Sequence, residues 1–402
     1  MLTPEYLLSI SEGAEEIASQ LHADIISRIV ERIAIRASRG DEYTMTAIDK
    51  WQIETLQESG YLLEDIHKEI TKATAKQEKE IKAAMQDAGV TALDYDDAIY
   101  KAAGLSPLPL WESPHLVRLM QRNYEATLGE WGNYTRTTAT ASQNAFIQAC
   151  DEAYNLTTSG ALSYTQAFGE AIKEIAKDGV IVTYPSGHTD TIETATLRAM
   201  RTGISQATGD IQTARMEEME WDIILVSSHM GARTAPNEDA ANHAWWQGKF
   251  YSRTGKTEGL PLFSVTGYGT GAGLCGWNCR HSFGAGDGEN NPFEQFDSEE
   301  NKKAYELSQR QRLLERRIRK SKREVMALQS AVDATKDEKL KFDLQQSLDK
   351  KSYLLQKQNK AYNQFCEDNE LKKLQERLKI AEWGRNEAAK ARGAARRYEN
   401  AK

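Results

Sequence analysis

Apolar residues return every three to four positions along most of the chain. Leu21, Ile25, Ile29 and Ile33 set that spacing in the first long segment, behind a start signal in which the Thr3 hydroxyl precedes Pro4 and Glu5. A second helix is predicted from about Thr44 to Ala88, interrupted near Gly60, and its Lys- and Glu-rich surface leaves only a thin apolar stripe. Such a stripe needs a partner, because helices draw most of their stability from tertiary packing. Leu105 to Pro114 carries three of the eight prolines and reads as a linker. Beyond it, Ser113-Pro114 opens another helix, and Ser163-x-x-Gln166 forms a capping box for one ending near Lys177.

The period then changes. Val180 to Thr183 has strand composition and runs into a turn at Pro185-Ser-Gly187. Asp190-x-x-Glu193 should cap a helix whose inner face is Leu197, Met200, Ile204, Ala207 and Ile211. A short strand follows at Ile223 to Val226, then a hairpin pairing Lys249–Ser252 with Leu260–Val265 through Thr254-Gly-Lys-Thr-Glu-Gly259. After Asp297-x-x-Glu300, another capping box, helix resumes. Leu307, Leu314, Ile318, Val325, Leu328 and Val332 share one heptad frame, which Leu344, Leu348 and Leu355, then Leu371, Leu374 and Leu378, take up after breaks near Asp333 and Asp368. That pattern predicts a helical hairpin or coiled coil. The expected architecture is α+β and predominantly helical. Its four parts are a helical N-terminal region (1–104), a linker with further helix (105–177), a small α+β domain (178–296) and a helical tail (297–402).

Charge sharpens this division. Residues 301–402 hold 27 Lys and Arg against 15 Asp and Glu, whereas residues 1–300 hold 24 against 44, so a basic end follows an acidic body. A basic end suits a polyanion or an acidic protein surface, and it equally suits a solvated helix of mixed charge. The longest charge-free run, Gly259 to Cys279, contains six glycines and a proline and reads as loop, so no membrane contact is expected. The N-terminus lacks a secretory pattern, which leads to an expectation of synthesis in a reducing cytoplasm. Cys150 and Cys366 stand alone in helical sequence and read as packing residues, with no disulfide framework.

The unusual residues gather in the α+β segment. Cys275, Cys279 and His281, in the order Cys-x-x-x-Cys-x-His, offer three ligands for zinc, and His229 or His243 could complete a tetrahedron. The competing reading is a set of thiols and imidazoles that ties down a glycine-rich loop by packing. Trp245, Trp246 and Trp277 belong to the same alternative, as core packing or as interface anchors, with core packing favoured for each. Nucleophilic chemistry has less support, since no glycine-flanked elbow surrounds Ser228-His229. Gly255-Lys256-Thr257 lacks the leading glycine and following helix of a phosphate loop, and Gly267, Gly269, Gly271 and Gly273 lack the strand and helix of a dinucleotide site.

Three runs in fixed order carry a resemblance. Ser227-Ser-His-Met-Gly-Ala-Arg233, His243-Ala-Trp-Trp-Gln-Gly-Lys249 and Gly273-Leu-Cys-Gly-Trp-Asn-Cys-Arg-His281 resemble the phage minor capsid protein 2 family, related to Mu F-like head morphogenesis proteins. Leu197 to Gln206 and Asp49-Lys-Trp-Gln52 add to it, and the resemblance covers roughly residues 1–290. It implies a low-copy, non-enzymatic protein inside the phage head at the portal vertex, acting in assembly and in DNA packaging or ejection. Many Mu F-like proteins end the third run in Cys-Arg-Cys, where this chain has Cys279-Arg280-His281. Some relatives carry a C-terminal toxin enzyme, but residues 301–402 show heptads and no catalytic constellation. Expected partners are the portal protein, major capsid or scaffold protein, and packaged double-stranded DNA met by Arg316, Arg317, Arg319, Lys320, Lys322 and Arg323. The alternative function is a virion-carried zinc hydrolase or nuclease built on Cys275, Cys279, His281 and one of His229 or His243, with Glu238 or Asp239 as base. A cytoplasmic coiled-coil adaptor would explain only the tail.

Overall fold

The computed structural model describes residues 1–39, 48–183 and 187–401. About 70% of the chain is helical, with one small antiparallel three-stranded sheet, the predominantly helical α+β architecture expected from the sequence. The elements are α1 (Pro4–Ser9), α2 (Glu12–Ala37), α3 (Ile48–Ala102), α4 (Pro114–Thr158), α5 (Tyr164–Asp178), β1 (Ile181–Thr183), β2 (Thr189–Thr191), α6 (Ile192–Glu218), β3 (Ile223–Val226), α7 (His243–Trp246), β4 (Phe250–Ser252), β5 (Phe283–Ala285), α8 (Ser298–Ala334), α9 (Glu338–Asp368) and α10 (Arg385–Asn400). Among the described residues no helix is long and apolar enough to cross a membrane. The predicted start at Thr44 and the turn residues Pro185 and Ser186 lie outside the described residues.

The chain forms two compact units, each assembled from three stretches. One comprises residues 1–15, 76–132 and 196–309, the other residues 16–75, 133–195 and 310–402. Helices α2, α3, α4, α6 and α8 contribute to both.

In the first unit, β3 is the central strand, flanked antiparallel by β4 and β5. The predicted hairpin does not form. Phe250 to Ser252 pairs with β3, and Phe263–Thr266 is a 3-10 turn touching Ser252 through a single parallel bridge at Leu262. Two local facts explain this. Pro261 has no N–H to give a ladder. Asp222 gathers the Ser252 hydroxyl at 2.6 Å, the Thr254 amide at 2.8 Å and the Thr257 hydroxyl at 2.7 Å, which curls the chain back into a loop. These bonds hold the Asp222 carboxyl well below the usual carboxylate range.

Below the sheet, Asp96 of α3 is fully buried and receives the Ala285 amide at 3.1 Å and Gln212 Nε2 at 3.2 Å, with the Met1 amino group 3.2 Å away. Gly284 makes room for it, since a Cβ there would stand 2.3 Å from Asp96 Oδ1. Met200, Ile204 and Ala207 of α6 are buried against Leu7, Ile81 and Met85, as the predicted inner face requires.

Three local expectations are revised. Helix α3 runs unbroken through Gly60 to Ala102, because Leu62 and Ile66 are fully buried and packing continues past the glycine. Asp190 lies in β2, and the first turn of α6 is capped by Thr191, whose hydroxyl accepts the Thr194 amide at 3.3 Å. The stretch Leu371 to Leu378 is coil ending in a 3-10 turn, so the third heptad segment is not a long helix.

Among its described residues the second unit is mainly helical, with β1 and β2 as its strands. Arg36 of α2 is fully buried, with its guanidinium 4.0 Å above the Trp51 ring, 2.9 Å from Glu58 and 2.9 Å from the Thr55 hydroxyl. The α8–α9 hairpin is antiparallel: Glu315 of α8 accepts from the Tyr362 hydroxyl at 3.4 Å, and farther along Glu324 meets Lys351 at 2.5 Å. Ile318, Val325, Leu328 and Val332 are buried on α8, as are Leu344, Leu348 and Leu355 on α9. Helix α10 lies against α9 and buries the small residues Ala391, Ala394 and Ala395, and Arg397 forms a two-pronged pair with Asp349 at 2.7 and 3.0 Å.

His22 on α2 is buried against Gly179, and neither ring nitrogen finds a hydrogen bond among the described residues. Burial, with Arg323 nearby, lowers its pKa to about 3. Lys177, Asp178, Asp190 and Lys320 line the same cleft. The unfolded chain takes up this proton below about pH 6.5 while the fold refuses it until about 3. The stability it contributes is therefore complete above the first value and falls by about 1.4 kcal/mol per pH unit between them. Urea midpoints measured across that window should decline more steeply for the natural protein than for His22→Leu. Parallel curves would contradict the assignment.

Candidate functional site

The three sequence runs meet in the first unit. β3 leads into Ser227, whose amide gives to the Ser282 carbonyl at 2.9 Å while its hydroxyl accepts the Ser282 amide at 2.9 Å. This lock brings the first run beside the third. Asn301, in the first turn of α8, accepts the amides of Gly231 and Ala232 at 2.9 Å each. Arg233 donates to the Trp277 carbonyl at 2.8 Å and to the Ala272 carbonyl at 3.3 Å, and its own carbonyl accepts the Ala244 amide at 3.0 Å.

The glycine-rich stretch is folded upon itself. Leu274 N–H reaches the Thr266 carbonyl at 3.0 Å and Trp277 N–H reaches the Gly271 carbonyl at 2.8 Å. Where these passes cross, a Cβ on Gly273 would stand 2.3 Å from the Gly267 carbonyl oxygen, and one on Gly276 would stand 2.5 Å from that of Gly271. Cys275 and Asn278 adopt left-handed backbone, at φ 58° and 57°. Holding two non-glycine residues there costs of order 1–3 kcal/mol each, which the surrounding contacts must offset.

At the centre His243, Cys279 and His281 present one ligand atom each, all within 4.8 Å of one another, and all three side chains are buried. Among the described residues this is the one such grouping of histidine, cysteine and carboxylate side chains. The groups that touch these side chains are equally ordered. His243 Nε2 lies 2.9 Å from the Ala272 carbonyl, and His281 Nε2 lies 3.0 Å from Gln247 Oε1, which also accepts the His229 amide at 3.0 Å. Cys279 Sγ is 3.6 Å from His281 Nδ1. Burial, assisted by the charges of Arg233 and Arg280, lowers the His243 pKa to about 4. Burial also drives His281 well below its ordinary value and raises both Cys275 and Cys279.

Of the predicted ligands, His243, Cys279 and His281 are brought together. His229 instead stacks on the His281 ring, with centroids 4.5 Å apart, and Cys275 is buried beside the group but outside it. Glu238 and Asp239 are exposed, and Asp239 accepts the Ala241 amide at 2.9 Å. Sequence reasoning missed Gln247 and the Ala272 carbonyl. Gln247 is detectable as a polar residue four positions after His243, whereas the carbonyl leaves no sequence signal. The tryptophans separate by exposure: Trp246 is fully buried against His243 and His281, Trp245 is half-buried, and Trp277 is 63% exposed.

The six tail cations also divide. Arg316, Arg317 and Lys320 face solvent, and Lys320 pairs with Asp178 at 3.2 Å. Arg319 and Arg323 both reach the buried Glu193, and Lys322 donates to the Leu378 carbonyl at 2.5 Å.

The helical chain whose three motif runs converge on this buried cluster matches a family of phage capsid proteins over residues 2–361. The family is phage minor capsid protein 2, and the chain belongs to it. No curated protein and no solved structure matches the chain. The match reaches beyond residue 290, the limit set by the motifs, so α8 and most of α9 belong to the family region. The protein is thus a phage virion component that works among other virion proteins.

Proposed function

We propose that this minor capsid protein sits inside the head at the portal vertex in few copies, made in the host cytoplasm, and acts in head assembly and in packaging or ejection of DNA. The observation that carries this reading is family membership across nearly the whole chain. A surface feature supports docking through the N-terminal helices: Ile53, Leu56 and Tyr61 of α3 are 56, 59 and 60% exposed, and Ile35 of α2 is 54% exposed beside a cleft that Tyr61 also lines. Ile53 and Leu56, three residues apart on α3, share one exposed helical face outside that lining, and contiguous apolar surface left in solvent marks interaction sites. Co-expressed portal protein should therefore co-purify with the natural chain and be lost with Ile53→Asp/Leu56→Asp. Portal capture unchanged by that pair would remove the docking surface.

Packaged DNA is the proposed partner of the solvent-facing tail cations. Arg316 and Arg317 remain available to phosphates, whereas Arg319, Lys322 and Arg323 are engaged within the unit. Each phosphate contact contributes about 0.9 to the slope of log affinity against log salt. Arg316→Ala/Arg317→Ala should flatten that slope by roughly 1–2 for duplex DNA. A slope that stays the same excludes these two arginines from DNA contact.

A further inference from the structure

We propose that His243, Cys279 and His281 bind one zinc ion that staples α7 to the glycine-rich loop and the start of β5. Zinc holds nitrogen at about 2.0–2.1 Å and sulfur at about 2.3 Å, so ligand atoms of a tetrahedral site lie roughly 3.3–3.8 Å apart. Atoms already gathered within 4.8 Å need only small side-chain movements to reach that spacing.

Orientation is the second and independent observation. A carbonyl oxygen only accepts, so the Nε2 atoms of His243 and His281, at 2.9 and 3.0 Å from the oxygens of Ala272 and Gln247, carry the hydrogens. That leaves Nδ1 of each ring as the lone pair, and for His281 this atom faces the Cys279 sulfur at 3.6 Å. Metal-binding histidines are commonly held this way, with the far N–H given to a carbonyl or side-chain oxygen that fixes the tautomer. Gln247 is itself fixed, because its oxygen also takes the His229 amide at 3.0 Å.

Ligand chemistry excludes the hard cations. Two imidazoles and a thiolate suit zinc, whereas calcium and magnesium require oxygen donors, and no carboxylate belongs to the group. The fourth corner falls to water or to the Cys275 thiol, which is buried and lies 4.0 Å from the His281 carbonyl. With Glu238 and Asp239 exposed and outside the group, the ion's role is to hold the loop. Residue 243 is joined to residues 279 and 281 across a stretch with little regular structure, the kind of closure a metal stabilises most.

The test uses the full chain, purified without chelator and analysed for metal by mass spectrometry. Near-stoichiometric zinc is expected, together with slow thiol labelling that becomes fast once a strong chelator is added. Cys279→Ser and His243→Ala should each lose the ion, while Cys366→Ala in the second unit keeps it. If the natural protein holds no zinc above the buffer blank, both as purified and after zinc addition and desalting, the proposal fails whatever the variants do. Soluble Cys279→Ser or His243→Ala protein retaining full zinc would overturn it as well.

Discussion

Glu193→Ala should lower the unfolding free energy by about 3–5 kcal/mol, the usual cost of leaving buried charge without its partner. Glu193 sits in the first turn of α6, nearly inaccessible to water, where its carboxylate accepts a hydrogen bond from the Arg323 guanidinium and forms an ion pair with Arg319 Nε at 3.3 Å. Removing its carboxylate strands two guanidiniums in a poorly solvated site. Replacing the whole triad with apolar residues (Glu193→Leu, Arg319→Met, Arg323→Met) should come much nearer the natural stability, because desolvation of all three charges then disappears together. Denaturant midpoints decide the matter. A Glu193→Ala protein within about 0.5 kcal/mol of the natural one, the range of ordinary surface substitutions, would show that the triad is solvated.

Trp246→Ala is the second large effect, at about 3–5 kcal/mol, because it opens a cavity the size of an indole. Trp246 is fully buried, its ring 4.5 Å from His243 and 4.9 Å from His281, and its Nε1 donates to the Ala240 carbonyl at 3.1 Å. The deletion removes packing and takes the donor from a half-buried carbonyl at once. Trp277→Ala provides the contrast. Trp277 is 63% exposed and covers Gly271 with one edge of its ring, so its loss should shift stability by no more than about 0.5–1 kcal/mol. Thermal or chemical unfolding of the two variants side by side is the measurement, and equal losses would refute the division of the tryptophans into one core and one surface residue.

The parts of the fold that were legible before the structure are those written within a few residues. The Ser163–Gln166 capping box forms as read, Asp297 caps α8 by accepting the amides of Glu299 and Glu300, and the hairpin breaks fall at Ala334 and Asp368. The Asp190 cap failed for an instructive reason. Pairing with β1 held Asp190 in extended backbone, and Thr191, one residue later, took the capping role. The site was half legible in the same way. Residue types and their clustering marked the region, but five candidate ligands could not be ranked from spacing. His229 and His243 looked equivalent until stacking placed one over the His281 ring and the fold gathered the other with Cys279 and His281.

What the sequence by itself determined is therefore the run of helices, their caps and the family to which the chain belongs, since helical hydrogen bonds and caps close over three or four residues and the motif runs are contiguous. Only the tertiary structure decided that β4 pairs with β3, that His243 joins Cys279 and His281 while Cys275 stands aside, and that three of six tail cations are spent inside the fold. Those outcomes depend on contacts between residues tens to more than a hundred positions apart. Their free energy comes from burial and charge pairing that no local pattern records, because the partners become neighbours only once the chain has closed around them.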